Sequence, residues 1–396
     1  MYTKAFIPYG GYYSSPFAKW QGTLANDNAL ILGAATFKRW LAMKGWDASV
    51  FDYTYQGQTV VQNRCFCGAP WINAMIGNDR APGITIMQVC ATSTSSLNMA
   101  AMGLEMGLHQ APLCFMADRM SNSPHLVWAN PNGPGGQPVH EDWVMDNFSG
   151  DPLTKITAVM TAENVAKKFG FTKEQADEMT LCRFEQYQDA LKDDRAFQKR
   201  YMFPVEIQIS RKKTIMLEAD EGIPPTTLEA VTKMKPVLPD GIHSSAAQTH
   251  PADGNACMLV TTKDNAQRLS ADPSKTIQLV SYGFTRVEPG YMPMAPVPAS
   301  KMALERAGIK MSDVKVIKSH NPFAANDLYF VKEMGIDMRA MNNYGSSIIF
   351  GHPQSPTVLR LAMEGIEEAV IKGGGYVLIT GCAGGNMGAS LVFKVS

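Results

Sequence analysis

The sequence is most informative at first through what it lacks. No apolar run in its 396 residues is long enough to span a bilayer, and the opening "MYTKAFIPYGGYYSS" has no apolar stretch of signal-peptide length. The expected compartment is therefore the cytoplasm, with no membrane partner. Net charge is also missing: 36 basic residues balance 36 acidic ones, which gives nucleic acid or an anionic surface nothing to read. A disulfide framework is absent as well. The seven cysteines, at 65, 67, 90, 114, 182, 257 and 382, are odd in number and scattered. Only Cys65 and Cys67, in "RCFCGAP", lie close together, and with no second pair or nearby histidine they do not make a zinc site. No metal is expected.

What remains is an ordinary globular composition, 45% hydrophobic and 18% charged, in a chain long enough for two or three units or one large α/β domain. The 25 methionines read as core filling. "GITIMQVC" (83–90) reads as a short buried strand. The following "ATSTSSLNMAAMGLEMGL" is small and apolar on every side, a helix to be buried all round, and "APLCFMAD" (111–118) is the next strand. The C-terminal stretch "FGHPQSPTVLRLAMEGIEEAVIKGGGYVLITG" repeats the pattern with a histidine in place of the cysteine. Cys90 lies 23 positions before Leu113 and His352 lies 24 before Tyr376 (113 − 90 and 376 − 352). A duplicated α/β unit with a site where its copies meet is the expected architecture.

Between the copies the composition changes. "SNSPHLVWANPNGPGGQPVHEDWVMDNFSGDPLT" (121–154) is rich in proline, glycine and asparagine, the mark of a long irregular excursion and so of a binding loop or lid. Thr172 and Gln175 have capping-box spacing at the head of a helix, and "PVPASKMALERAG" opens another with proline.

Four reactive side chains stand at strand ends or helix starts. Cys90 precedes a helix, whose N-terminal field lowers a thiol pKa, so it is a candidate nucleophile. His352, in "FGHPQSP", is a candidate base, and His320, in "SHNPF", ends an apolar strand. Cys382 sits between "YVLIT" and a glycine-rich turn.

Taken together these segments resemble the thiolase superfamily. "VCATSTSSL" is similar to its nucleophile segment, "SHNPFAA" to N-E-A-F-A, "GHP" to its histidine segment and "CAGGNMG" to C-x-G-G-G-M-G. "MTAENVAKKFGFTKEQAD" and "PMAPVPASKMALERAG" resemble a loop-domain stretch and the G-P-V-P-A helix entry. All occur in family order from about residue 5 to 395. The resemblance implies a duplicated five-layered αβαβα thiolase fold with an inserted loop domain. One half would take residues 1–117 plus about 251–270, the CoA-binding loop domain 118–250, and the other half 271–396.

By the same resemblance, Cys90 takes the acyl group, His352 activates it and Cys382 shuttles a proton. A water at the position of His320 would help hold the thioester or enolate oxygen. The backbone N–H groups of Cys90 and Gly384 would form an oxyanion hole, approached closely because glycines flank it. CoA is expected as a substrate, with no permanently bound cofactor. A homodimer or higher oligomer is expected, and a small zinc-ribbon/OB-fold partner is compatible with this type.

The departures carry information too. His320 replaces the usual asparagine, as in the H-D-C-F or H-E-A-F, sterol-carrier-protein-like version. The usual "GHPIGASG" is "GHPQSP", with Ser355 and Pro356 where glycines stand. Ala158 stands where many members carry a pocket methionine, while Met292 matches the other one. Thr249 and Phe323 match pantetheine-side positions, and Arg211 to Lys213 are candidates for the 3′-phosphate. A small residue at 158 suits a bulky, branched or aromatic acyl group, benzoylsuccinyl-CoA being one such substrate. The alternatives are an acyl-CoA-binding subunit without turnover, or another Claisen condensing enzyme.

Overall fold

A computed structural model describes all 396 residues. The main sheets take their strands in chain order as β1 (Phe6–Ile7), β2 (Tyr12–Ser14), β3 (Ala18–Lys19), β4 (Tyr53–Gly57), β5 (Gly83–Ile86) and β6 (Pro112–Arg119). Then come β7 (Ala252–Leu259), β8 (Ile277–Arg286), β9 (Val314–His320), β10 (Gly375–Ala383) and β11 (Met387–Val395). One sheet runs β2–β7–β6–β4–β5, with β3 also on β7; the other runs β1–β8–β11–β10–β9. β4 lies parallel to β5 and β6, and β9 parallel to β10, while β7 and β11 return antiparallel on β6 and β10. Parallel neighbours need a crossover, which the helices provide.

Those helices are α1 (Ala29–Lys44), α2 (Gly68–Ile76), α3 (Thr92–Glu105), α4 (Ala158–Phe169), α5 (Lys173–Arg195), α6 (Pro296–Ala307), α7 (Ala324–Met334) and α8 (Ser355–Ile371). α1 and α2 cover the outer face of the first sheet, and α6 covers that of the second with α7 beside it. α8 touches strands of both sheets and packs against α3, so these two form the middle layer. Five layers, αβαβα, result. The two central helices occupy corresponding places in the two halves, as the repeated pattern implies.

The excursion leaves β6 at Arg119 and returns at Ala252. It holds a hairpin (His125–Trp128 with Val139–Asp142), α4, α5 and a second hairpin (Val205–Ser210 with Lys213–Leu217). Its helices α4 and α5 pack on α7. The capping box forms: Thr172 accepts from Gln175 N–H, and Gln175 accepts from Thr172 N–H.

Two expectations need correction. Gly83–Ile86 is not a buried strand but the half-exposed edge of its sheet, with Ile84 38% accessible. Apolar composition does not tell an edge from a centre. α3 is buried through its first two turns, but Met102 and the following Met106 reach the surface.

Candidate active site

Cys90 lies in a single 3₁₀ turn, Val89–Ala91, just before α3. Val89 has φ 52°, a left-handed conformation that a β-branched residue rarely takes. Thr92 braces the turn, its Oγ1 accepting from Gln88 N–H (2.9 Å) and donating to Val89 O (2.7 Å). His320 and Cys382 emerge at the C-terminal ends of the adjacent parallel strands β9 and β10, the end where open α/β sheets place their sites. His352 reaches the same place from the segment before α8, its N–H bonded to His250 O at 2.9 Å.

The fold thus brings the four predicted side chains together, all buried. Cys90 Sγ is 3.0 Å from His352 Nε2, and His352 Nδ1 is 2.6 Å from Thr357 Oγ1. With Nδ1–H donated to Thr357, the Nε2 lone pair faces the thiol. The His320 and His352 rings lie 4.0 Å apart between centroids. His320 Nδ1 is 2.7 Å from Ser347 Oγ, whose hydroxyl donates to Asn321 Oδ1 at 3.1 Å, so His320 holds its proton on Nδ1. Its Nε2 is buried without a protein partner. Cys382 Sγ accepts from Asn326 Nδ2 at 3.2 Å.

Burial dominates the electrostatics. It pushes the Cys90 thiol up, with nearby Cys382 adding to the effect and the N–H groups of Gly384 and Cys90 itself opposing it. This overturns the expectation of a lowered thiol pKa: loss of water outweighs the helix N-terminus. Burial also raises Cys382 to about 12 against the Asn326 hydrogen bond. It drives His352 down to about 3, and His320 well below its ordinary value with His352 as a second cause. The free site is a neutral thiol–imidazole pair.

Gly384 follows the end of β10 beside the Cys90 turn, and its N–H opposes the upward shift of the Cys90 thiol. A Cβ on Gly384 would make only ordinary contacts with Val89, at 3.7 Å and beyond, so packing does not require glycine there. Its neighbour Gly385 does need its left-handed φ of 82°.

Met292 and Phe323 share one buried apolar cluster with Cys382, and Ala158 packs against it at the start of α4. Thr249 sits beside Phe323, its N–H on Pro322 O, but its hydroxyl is already donated to Ser347 O at 2.5 Å. Arg211, Lys212 and Lys213 are exposed at the tip of the second hairpin. An open cleft of about 530 Å³ near Lys192, Arg200 and Tyr344 includes none of these groups.

The sulfur of Cys90 and the ring nitrogens of His320 and His352 lie within 4.8 Å of one another, a donor set that could ligate a soft divalent cation. Such an ion would occupy the thiol that acyl chemistry needs.

Several side chains in this site were not foreseen from sequence: Thr357, Ser347, Asn326 and Asp118, and Gln354, noticed only as part of a departure. Asp118 is fully buried and accepts from Thr59, Val60 and Ser355 N–H groups, with burial raising it to about 6. Gln354 and Thr357 were within reach, as polar residues beside a histidine in an otherwise apolar helix entry.

Comparison with known proteins fits this geometry. The family model described as thiolase, N-terminal domain, matches residues 11–264, and that described as thiolase, C-terminal domain, matches 274–395. The chain belongs to the thiolase family, and it is an acyltransferase. It is 30% identical over 320 residues to a beta-ketothiolase of Cupriavidus necator, covering 79% of each chain. It is 28% identical over 385 residues to the acetyl-CoA acetyltransferase of Escherichia coli, covering 94% of this chain and 95% of the relative. In fold it matches the human mitochondrial 3-ketoacyl-CoA thiolase solved in complex with CoA, with a TM-score of 0.89, 24% identity and 99% of this chain covered.

Proposed function

We propose that this protein cleaves a 3-oxoacyl-CoA with free CoA, and runs the reverse Claisen condensation, through an acyl group carried on Cys90. The observation that carries the reading is the buried Cys90 Sγ to His352 Nε2 contact of 3.0 Å. His352 takes the thiol proton as the sulfur attacks the 3-oxo carbon, and Thr357 holds the ring in the required tautomer. The N–H groups of Cys90 and Gly384 stabilise the developing oxyanion. The C2–C3 bond breaks, and Cys382 delivers a proton to the acetyl-CoA-like fragment. CoA then attacks the thioester, giving its thiol proton to the Cys382 thiolate, and the C–S bond to Cys90 breaks as the sulfur takes back the proton held on His352. His320 Nε2, a lone pair without a partner, suits a water that donates its other hydrogen to the thioester or enolate oxygen.

Residues 118–250 serve as the CoA-binding domain in this reading, with Thr249 and Phe323 on the pantetheine side. Ala158 and Met292 border the acyl pocket. The small Ala158 supports a bulky, branched or aromatic acyl group, benzoylsuccinyl-CoA among the candidates, in a degradative cytoplasmic role. A homo-oligomer, with or without a small zinc-ribbon/OB-fold subunit, completes the picture.

The test is mass spectrometry of the intact protein mixed with acetyl-, succinyl- and benzoyl-CoA. A mass gain that maps to Cys90 and vanishes on adding CoA is expected, and it would name the acyl group. No adduct from folded protein would point instead to acyl-CoA binding without turnover.

A further inference from the structure

Gln354 stands two residues after His352, where its amide meets the nucleophile. Its Oε1 is 3.2 Å from Cys90 Sγ and accepts the thiol hydrogen, while His352 Nε2 approaches the same sulfur at 3.0 Å, and the amide opposes the downward shift of His352. The residue is 1% accessible. Its backbone, at φ 62° and ψ −104°, is in a region that a non-glycine residue occupies at a cost of about 1–3 kcal/mol. Neighbours hold it there: Ser355 N–H donates to Asp118 Oδ2 (2.9 Å), Ser355 Oγ donates to Gly57 O (3.2 Å), and Thr357 N–H donates to Gln354 O (3.2 Å). Pro356 enters the first turn of α8, where its missing N–H has no helical partner to lose. The chain therefore maintains a strained turn that aims a polar side chain at the sulfur.

We propose that Gln354 is a further catalytic residue, whose amide oxygen shares the thiol proton at rest and accepts the Nε2–H of His352 once the sulfur has become acylated. The proposal rests on the reading of Cys90 as nucleophile. In that step the S–H bond breaks, the sulfur electron pair forms the S–C bond to the 3-oxo carbon and the C=O π pair moves to oxygen. Its return breaks C2–C3, and the leaving fragment takes its proton from Cys382. The thiol proton forms an N–H bond on His352 Nε2, and the 3-oxoacyl-CoA is the one co-reactant. While the sulfur is a thiolate it can accept that N–H bond. As a thioester it is a poor acceptor, and the imidazolium N–H then needs another one. Thr357 serves only Nδ1. Gln354 supplies the missing acceptor on the other side of the ring, and hydrogen bonds to a charged partner are the stronger kind.

The titratable groups facing the pair are Cys382 on β10, His320 on β9 and Asp118 at the end of β6. All three stay in place in the variants below.

The experiment follows acylation of Cys90 in the intact protein by acetyl-CoA and benzoyl-CoA, with alkylation by iodoacetamide at one pH as the control, both read by peptide mass spectrometry. Gln354→Met removes the amide and keeps the length, and Gln354→Gly removes it and relieves the backbone strain. Both should form the Cys90 acyl adduct about tenfold or more slowly, while iodoacetamide alkylates Cys90 no more slowly than in the unaltered protein. The alkylation is spared because an acceptor of the S–H bond stabilises the neutral thiol and the thiolate itself satisfies the His352 N–H. Gln354→Gly should melt no lower than the unaltered protein, which separates lost chemistry from lost folding. If Gln354→Gly forms the acyl adduct within about twofold of the unaltered rate, Gln354 only shapes the turn and the proposal falls while Cys90 keeps its role. If Cys90 in the unaltered protein reacts no faster than the other six thiols, the proposal falls together with the reading beneath it.

Discussion

The two central helices lie against each other at equivalent points of the duplicated unit, yet they are buried by opposite means. α3, "TSTSSLNMAAMGLE", has small residues and hydroxyls that return their hydrogen bonds to its own turns, as Thr94 Oγ1 does to Ala91 O (2.6 Å) and Ser96 Oγ to Thr92 O (3.0 Å). α8, "SPTVLRLAMEGIEEAVI", buries Arg360, Glu364, Glu367 and Glu368 almost completely. Arg360 is bidentate on Asp220 of the excursion (2.7 and 2.8 Å), Tyr201 donates to Glu364 (2.7 Å), Tyr12 to Glu367 (2.6 Å), and Lys318 pairs with Glu368 (3.1 Å). The helix with charges is thereby tied to the excursion and to both sheets. The helix without them is held by close packing.

The same division runs through the rest of each half. In the C-terminal half, β10 returns to β11 through residues 384–386 only, and that tight turn carries Gly384, whose N–H opposes the upward shift of the Cys90 thiol. The N-terminal half makes the equivalent return through residues 120–251. One copy supplies three of the four reactive side chains on short, rigid elements. The other supplies Cys90 and spends its long connection on surface that can shape a substrate site.

The largest expected effect concerns the one reactive side chain of the N-terminal half. Cys90→Ala should lower thiolysis of a 3-oxoacyl-CoA by about 10⁴-fold or more and abolish the acyl adduct, with the melting temperature little changed. Residual turnover within about tenfold of the unaltered protein would move the chemistry wholly into the C-terminal half.

Next in size is the contrast between the helices themselves. Arg360→Met strands Asp220 among buried groups and should destabilise the protein by about 3–5 kcal/mol in urea unfolding. Ser96→Ala in α3 should remain below about 1 kcal/mol. Equal losses would mean that the buried charges tether nothing that packing does not already hold.

Protonation sharpens the contrast further. His352 is driven down to about 3 in the folded chain, from an ordinary value near 6.5. Its contribution to stability is therefore complete above pH 6.5. It is lost as pH falls from 6.5 toward 3, because the unfolded chain takes up a proton that the folded one refuses. Each such histidine steepens the decline by about 1.4 kcal/mol per pH unit. Urea midpoints between pH 4.5 and 6 should show a shallower slope for His352→Asn by that amount. An unchanged slope would mean that the folded protein accepts the proton.

The sequence made the reactive residues legible because each sits where an apolar strand stops or a helix begins, three of them with glycine or proline within two residues. Cys90, His320, His352 and Cys382 meet for that reason. The buried charges of α8 were not legible. Arg360 and three glutamates on one helix read like a solvated face, and their partners Asp220, Tyr201, Tyr12 and Lys318 are far away in sequence. The direction of the Cys90 shift was misread for a related cause: a helix start is visible in sequence, but the depth at which it is buried is not. Asn326 and Ser347 were hidden because their contacts to Cys382 and His320 form only when β9, β10, α7 and the turn before α8 come together.

The smallest expected effect tests what the excursion contributes. Ala158 opens α4 and packs against the cluster of Met292, Phe323 and Cys382, so its side chain lies where the excursion meets the C-terminal half. Ala158→Met adds volume at that junction without touching Cys90 or His352. If the junction borders the acyl pocket, kcat/KM for benzoyl- or branched-chain substrates should fall about tenfold, while acetyl-group transfer stays within about twofold, since pockets discriminate by roughly that factor for small changes in volume. Equal losses on short and bulky substrates would make Ala158 a packing residue of the α4 docking surface. The excursion would then shape substrate choice from another of its elements.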